Sequence, residues 1–558
     1  MAQQSRPLSA GATFAVVLAA LTAPVASAAG VQWYAPASSN INNLDKVING
    51  SGAYGFIYNS STTPDNRYGT YNWCNMPHVR KKEYVKVNSD YELQYVELMH
   101  RHHKRTPYAS NAFPVESYHW NCDDQRLYNY GQSPEGHQAA KGFAEGYISP
   151  INPFVPSGWI GTCKFPQITL GGLDDSYQHG LDLYEVYADL LHFIPGRDWY
   201  VAEEVRYRVT NNPITSQVAG MVAGAMYKTK HSVPLMVQAD GIDSLEPQYS
   251  CNSASRAFNS IKSNDNAAWK DHLSKAAPLY STLDDISGVP PNDGGFHASI
   301  DHYYDNLSAR QCHNKPLPCK LVDGKNSTTC VTQEMADAVY RLGHWEYSHI
   351  YRDSPESLAA SAASLGVWIK ELSSHFRDVI AGKRDIVYFH NVAHDGSVSR
   401  LLSILQIDTM VWPGMGSEVV FELYKKKPLV EKCNRDNCLR WFLRATKTAT
   451  SLCQQLFTTT SAEIALPSFP PPECHSAARV ASGCSCLEIP TGTQTADPVP
   501  TEVAVLEKYY VRVLFGGKVL KSSHPDLGVM ELVPVQTLLK YFDDLVGKTG
   551  NDVKASCQ

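Results

Sequence analysis

Beyond its first 28 residues the sequence has no run of about 18 consecutive apolar residues, so no membrane-spanning helix is expected there. Charge is scarce as well. Charged residues make up 19% of the 558, and 49 Lys+Arg against 55 Asp+Glu leave a net charge of -6. Such a balance gives no basic field for nucleic acid and no polybasic segment for an anionic membrane. Any anionic ligand must therefore be held by a local pocket. Disorder is excluded by the 43% of hydrophobic residues, which suffice for a large packed core. A Gly-x-Ser-x-Gly elbow is missing, which argues against a serine esterase. Gly547-Lys548-Thr549 ends like a phosphate loop, but Phe542 stands where the first glycine belongs and no strand immediately precedes it. No internal repeat is found.

Export features come first along the chain. Residues 1–28 read as a signal peptide, with Arg6 as the positive start, a mostly apolar Ala12 to Thr22 and the small-residue site Ala26-Ser27-Ala28. The end, Asn551 to Gln558, lacks a hydrophobic lipid-anchor tail. All 14 cysteines lie after the leader, an even number in an oxidising compartment, so disulfides are expected; their pairing is not legible. On the same ground Cys433-x4-Cys438, and Cys474-His475 with Cys484-x-Cys486, read as disulfide cysteines rather than zinc ligands. Four glycosylation triplets, at Asn49, Asn59, Asn306 and Asn326, agree with a secreted, extracellular protein.

Residues 29–90, rich in Asn, Ser, Tyr and Gly, predict an irregular segment lying over the fold. Tyr91 to His100 reads as a strand running directly into Arg101. From Gly171 a helix is expected, with Leu183, Val186, Leu190 and Ile194 on one side and Pro195-Gly196 as its stop. The stretch 235–382 reads as mostly helical. Its clearest element has Ser354 as N-cap, Pro355 in the first turn, and a stripe of Leu358, Ala362, Leu365, Ile369, Leu372 and Phe376. Asp385 to Val392 predicts a buried strand, and Val398, Leu401, Leu402 and Leu405 mark a helix after it. Segment 455–502, rich in Thr, Ser and Pro and carrying Cys474, Cys484 and Cys486, reads as a stapled surface insertion.

The informative stretch is Arg101-His102-His103-Lys104-Arg105-Thr106-Pro107. It follows a strand and so belongs at the carboxyl edge of a sheet, where open α/β folds bind ligands. Crowded cationic and imidazole groups are unfavourable unless an anion compensates them, and phosphate accepts several charge-assisted bonds from guanidinium forks. A second half lies far downstream in His394-Asp395, again between a strand and a helix, where an anion also gains from unpaired amides. The parts compose a mechanism. His102 Nε2 attacks phosphorus if its other nitrogen donates to a backbone carbonyl. Arg101, Arg105 and His394 stabilise the phosphoryl oxygens, and Asp395 protonates the leaving alkoxide. A zinc reading of His390 and His394 is set aside, because Asn391 stands where the zinc-protease motif has Glu and the context is a strand.

Arg101-His102-x-x-Arg105-x-Pro107 with a distant His394-Asp395 resembles the histidine acid phosphatase and phytase branch of the histidine phosphatase superfamily. The resemblance extends through Gly171-Gly172-Leu173, Arg208-Val209-Thr210 to Ala219, Trp412-Pro413 to Tyr424, and Val511 to Gly517. It implies a phosphoglycerate mutase-like α/β core, residues 91–234 and 383–550, with a smaller, mainly helical cap over 235–382. It implies a phosphohistidine on His102, phosphate ligands Arg101, Arg105 and His394, a proton donor Asp395, and no metal or other cofactor. The expected partner is a small-molecule phosphate monoester, with no nucleic acid and no membrane; which ester, and the oligomeric state, stay open. Two departures stand out: the family's glycine after the nucleophile is His103, and the third phosphate-binding arginine aligns with Ile214. They keep a second expectation alive, a catalytically impaired relative that binds phosphate esters. A phosphoryl mutase shares the chemistry but fits poorly with export.

Overall fold

The computed structural model describes residues 30–558 except 58–63, 129–130, 132, 134–135, 137–138, 156–157, 198–202, 229–231 and 428–505, within which Cys453 and Cys484 alone are described. The leader 1–28, the Asn59 triplet, Cys433, Cys438, Cys474, Cys486 and nearly all of the 455–502 insertion lie outside the described residues.

In chain order the described elements are α1 (Leu44–Asn49), β1 (Tyr91–Arg101), β2 (Leu127–Tyr128), β3 (Phe143–Ala144), α2 (Leu170–Tyr184), β4 (Val205–Val209), α3 (Pro213–Tyr227), β5 (Leu235–Val237), α4 (Asn252–Ile261), α5 (Ala267–Ser287) and α6 (Asp301–Cys312). There follow β6 (Cys319–Val322), β7 (Lys325–Cys330), α7 (Gln333–Tyr351), α8 (Pro355–Ile380), β8 (Tyr388–Ala393), α9 (Asp395–Ile404), β9 (Glu418–Lys426), β10 (Tyr509–Phe515), β11 (Lys518–Val519), β12 (Val533–Pro534), α10 (Val535–Val546) and α11 (Gly550–Ser556).

The main sheet runs β11-β10-β9-β1-β8-β4-β5, with β12 added on β10. β1, β8, β4 and β5 are parallel, while β9 and β10 pair antiparallel. β1 is buried continuously from Tyr95 to Arg101 because helices cover both sheet faces. Its side chains alternate: Val96 and Leu98 pack with α2 and α3, Tyr95 and Met99 with α8, α9 and α10. α8 starts as its sequence predicts, Ser354 Oγ accepting from Ser357 N at 3.2 Å, and its stripe from Leu358 to Phe376 packs against Phe389, Val419 and Phe421.

Several expectations need revision. The stretch 235–382 gives up both ends to the sheet, since β5 pairs with β4 and α8 belongs to the sheet's hydrophobic core. The layer apart from the sheet is built by α5, α6 and α7. Segment 29–90 does not merely lie over the fold: Trp73 and Cys74 are fully buried in that helical core, and Cys74 is bonded to Cys312 of α6. The helix from Gly171 changes period before Pro195, closing in a π turn at Glu185–Leu190 with Leu191 N bonded to Val186 O, so the stripe read at α spacing fails there. Asn306 sits in α6 with its amide donating to Asn111 O and its carbonyl oxygen accepting from Arg310. That buried residue is no glycan acceptor in the folded chain, whereas Asn49 and Asn326 are exposed.

Among the described residues the disulfides are Cys74–Cys312, Cys122–Cys163, Cys251–Cys557, Cys319–Cys330 and Cys453–Cys484. No helix among those residues is long and apolar enough to cross a membrane.

Candidate active site

β1 and β8 lie side by side with Arg101 opposite Ala393, so the segments that begin at His102 and His394 emerge together at the sheet's carboxyl edge. From there the chain passes from β1 to α2 on one face and from β8 to α9 on the other. In parallel sheets such a divergence is where ligands bind. Two segments nearly three hundred residues apart thus converge, and the imidazoles of His102 and His394 stand 5.4 Å apart, centroid to centroid.

His102 is buried, and its Nδ1 lies 3.0 Å from the backbone carbonyl of His103. A carbonyl only accepts, so Nδ1 carries the hydrogen and Nε2 keeps its lone pair. Burial, and then the charges of Arg101, Arg105 and His394, hold the ring's pKa well below the ordinary histidine value. The imidazole therefore stays neutral in mild acid.

Arg101 stacks over Trp73 at 4.6 Å, donates from Nη1 to Pro413 O at 2.5 Å and meets Asp395 Oδ2 at 3.1 Å. Arg105 donates from Nη1 to Asp305 Oδ1 at 2.9 Å and to Thr106 O at 2.9 Å, with its guanidinium 4.1 Å from the Tyr108 ring centre. Burial opposes its charge, but Asp305, Tyr108 and Asp395 together outweigh this and lift the pKa above the usual arginine value. His394, the residue preceding α9, has Nε2 3.0 Å from Thr210 Oγ1 and 3.4 Å from the Glu246 carboxylate.

Asp395 opens α9. Its Oδ1 accepts from Gly396 N and its Oδ2 from Trp412 Nε1, both at 2.8 Å. Burial would raise its pKa; Arg101, the Trp412 hydrogen bond, Arg105 and His394 together pull it below the ordinary carboxylate value. The free site thus holds a carboxylate there.

The two departures acquire a physical description. The ring of His103 is buried and meets His179, Nε2 to Nδ1, at 3.1 Å. It lies against Gly416, whose φ of +70° and close approach leave no room for a Cβ. Ile214 is buried in the core between α3 and the sheet. The neighbouring cations do not replace an arginine there. Lys104 pairs with Asp175 at 3.1 Å, both buried, and Arg208 is held by Glu371 at 2.7 Å and by Gln238 and Ser244. Arg206 sits opposite Phe389, back from the carboxyl edge.

All five expected site residues, Arg101, His102, Arg105, His394 and Asp395, come from these two converging segments. Sequence reasoning missed Trp73, Thr210, Glu246, Asp305 and Trp412, which position or neutralise them. Of these Thr210 and Trp412 stood in stretches singled out beforehand. Asp305 and Glu246 carry no local signal, being single carboxylates distant in sequence from Arg105 and His394.

Fold and site together define an α/β protein in which a histidine, two arginines, a second histidine and a carboxylate cluster at the carboxyl edge of the sheet. No family model matches the sequence, and no curated protein matches it either. Among solved structures the chain is similar to the phytase of Klebsiella sp ASR1, at 12% identity and a TM-score of 0.42, over 83% of this chain and 97% of that one. It is similar to the phytase from D. castellii at 12% identity and a TM-score of 0.40, over 85% of each chain. A multiple inositol polyphosphate phosphatase of Bifidobacterium longum is similar at 11% identity and a TM-score of 0.36, over 64% of this chain and 87% of that one.

Proposed function

We propose that this protein is a secreted phosphatase that hydrolyses small phosphate monoesters through a phosphohistidine on His102. The observation that carries the reading is the bond from His102 Nδ1 to the His103 carbonyl, which leaves a nucleophilic Nε2 between cationic groups. In the first step the Nε2 lone pair forms a bond to phosphorus and the P–O bond to the leaving alcohol breaks. Arg101, Arg105 and His394 bind the phosphoryl oxygens, and Asp395, protonated in the substrate complex, gives its proton to the alkoxide. In the second step Asp395 takes a proton from water, whose oxygen bonds to phosphorus as the P–N bond breaks. Phosphate leaves, and the imidazole is neutral again with Nδ1 still protonated. Export is supported by the disulfides and by the exposed Asn49 and Asn326.

Replacing His102 with Ala is expected to abolish phosphate release from an aryl phosphate near pH 5, and undiminished turnover in that variant refutes the mechanism. A second reading, a phosphate-ester binder with impaired turnover, is favoured by Ile214 in the core and by the carboxylates already paired with Arg101 and Arg105. Losing one preorganised donor costs roughly 3–4 kcal/mol, on the order of a hundred- to a thousandfold in rate, so a missing arginine alone leaves substantial catalysis. Calorimetry that finds phosphate or phytate bound by the wild type, with no product formed, decides for the binder.

A further inference from the structure

Three histidines of the interior, His100, His103 and His179, are fully buried, and one ring nitrogen of each lies within 4.8 Å of one nitrogen of both others. They come from separate elements: His100 is the penultimate residue of β1, His103 belongs to the turn beyond it, and His179 projects from α2. Their outer nitrogens are fixed. His100 Nδ1 is 2.8 Å from His390 Nε2, and His179 Nε2 is 3.0 Å from Glu418 Oε2. On the inner side His103 Nε2 and His179 Nδ1 are 3.1 Å apart, while His100 Nε2 and His103 Nδ1 are buried without a hydrogen-bond partner.

A hydrogen bond between two neutral, perpendicular rings accounts for the His103–His179 contact. It leaves His100 Nε2 a buried ring nitrogen without a partner, which folded proteins rarely tolerate without a bound group.

We propose that His100, His103 and His179 bind one zinc ion beneath the turn that carries His102. Neutral imidazoles are suitable ligands for zinc. Zn–N bonds of about 2.0–2.1 Å set tetrahedral ligand nitrogens roughly 3.3 Å apart, close to the spacing of the His103–His179 pair. Glu418 behind His179 supplies the outer carboxyl group that commonly orients a ligating histidine. Three protein ligands leave a fourth position for water. His103 is then an anchor: its ring holds the ion while its carbonyl holds His102 Nδ1. This last link rests on the proposed phosphatase reading, whereas the metal site does not.

The test uses untagged full-length protein, stripped with a chelator and titrated with Co²⁺ as a visible probe and then with Zn²⁺. Wild type is expected to take up about one equivalent of Co²⁺ with ligand-field absorption, and Zn²⁺ to displace it. His103→Ala and His179→Gln, with far-UV circular dichroism matching wild type, should lose that absorption. His102→Ala should keep it, which separates failure of the metal site from failure of the phosphatase mechanism. If both ligand variants unfold, metal analysis of wild type purified without chelator decides: one zinc per chain supports the site. A folded wild type that takes up neither ion, or ligand variants that bind as wild type does, overturns the proposal.

Discussion

In the proposed mechanism Asp395 carries two demands that pull in opposite directions. In the free site it is the counter-ion of Arg101 and is held ionised by that arginine, the Trp412 indole, Arg105 and His394. As proton donor it must be protonated when the alkoxide leaves. A bound phosphate reconciles these, because its negative charge competes for Arg101 and raises the carboxyl's pKa. The protonated fraction then declines as pH rises, so kcat is expected to fall from acid towards neutral pH, while His102 stays neutral because its own pKa is depressed. Asp395→Asn should lower kcat/KM for an alkyl phosphate by roughly 10²–10⁴-fold. It should have a smaller effect on an aryl phosphate, whose phenolate departs without a proton. Because Asp395 also takes a proton from water in the second step, the comparison is made in kcat/KM, which reports the first step, across acid and neutral pH; equal losses of kcat/KM on the two substrates exclude Asp395 as the donor.

Elements with local signals were the most legible. α8 was readable because an N-cap serine, a first-turn proline and an apolar stripe are properties of consecutive residues, and the helix forms with Ser354 capping Ser357 N. Ser354→Ala is expected to cost about 1 kcal/mol, read from the urea midpoint with an unchanged slope. The end of α2 was misread because a π turn inserts an extra residue per turn, which no stripe at α spacing reveals. Likewise the motif Arg101 to Pro107 exposed its own cations but not their counter-ions. Asp305 reaches Arg105 from α6 across 200 positions of sequence, and contacts at that separation leave no periodic trace.

At the scale of the molecule, long-range crosslinks hold parts that the sequence keeps far apart. Cys251–Cys557 ties the end of the chain to the start of α4, at a sequence separation of 306. Replacing both cysteines with serine is expected to cost about 2–4 kcal/mol, seen as a lower denaturant midpoint; an unchanged midpoint would show that packing of α11 alone secures that end. By itself the sequence determined the α/β class, the strand that ends at Arg101, the strand–turn–helix setting of His394-Asp395 and the choice of Arg101, His102, Arg105, His394 and Asp395 as candidates, because those are matters of residue type and short-range order. Only the tertiary structure decided that Ile214 is a core residue, that each site arginine already has a carboxylate partner, and that His103 joins a buried histidine cluster. Those outcomes depend on which distant side chains the parallel pairing of β1 with β8 and the packing of α2 and α6 bring within bonding distance.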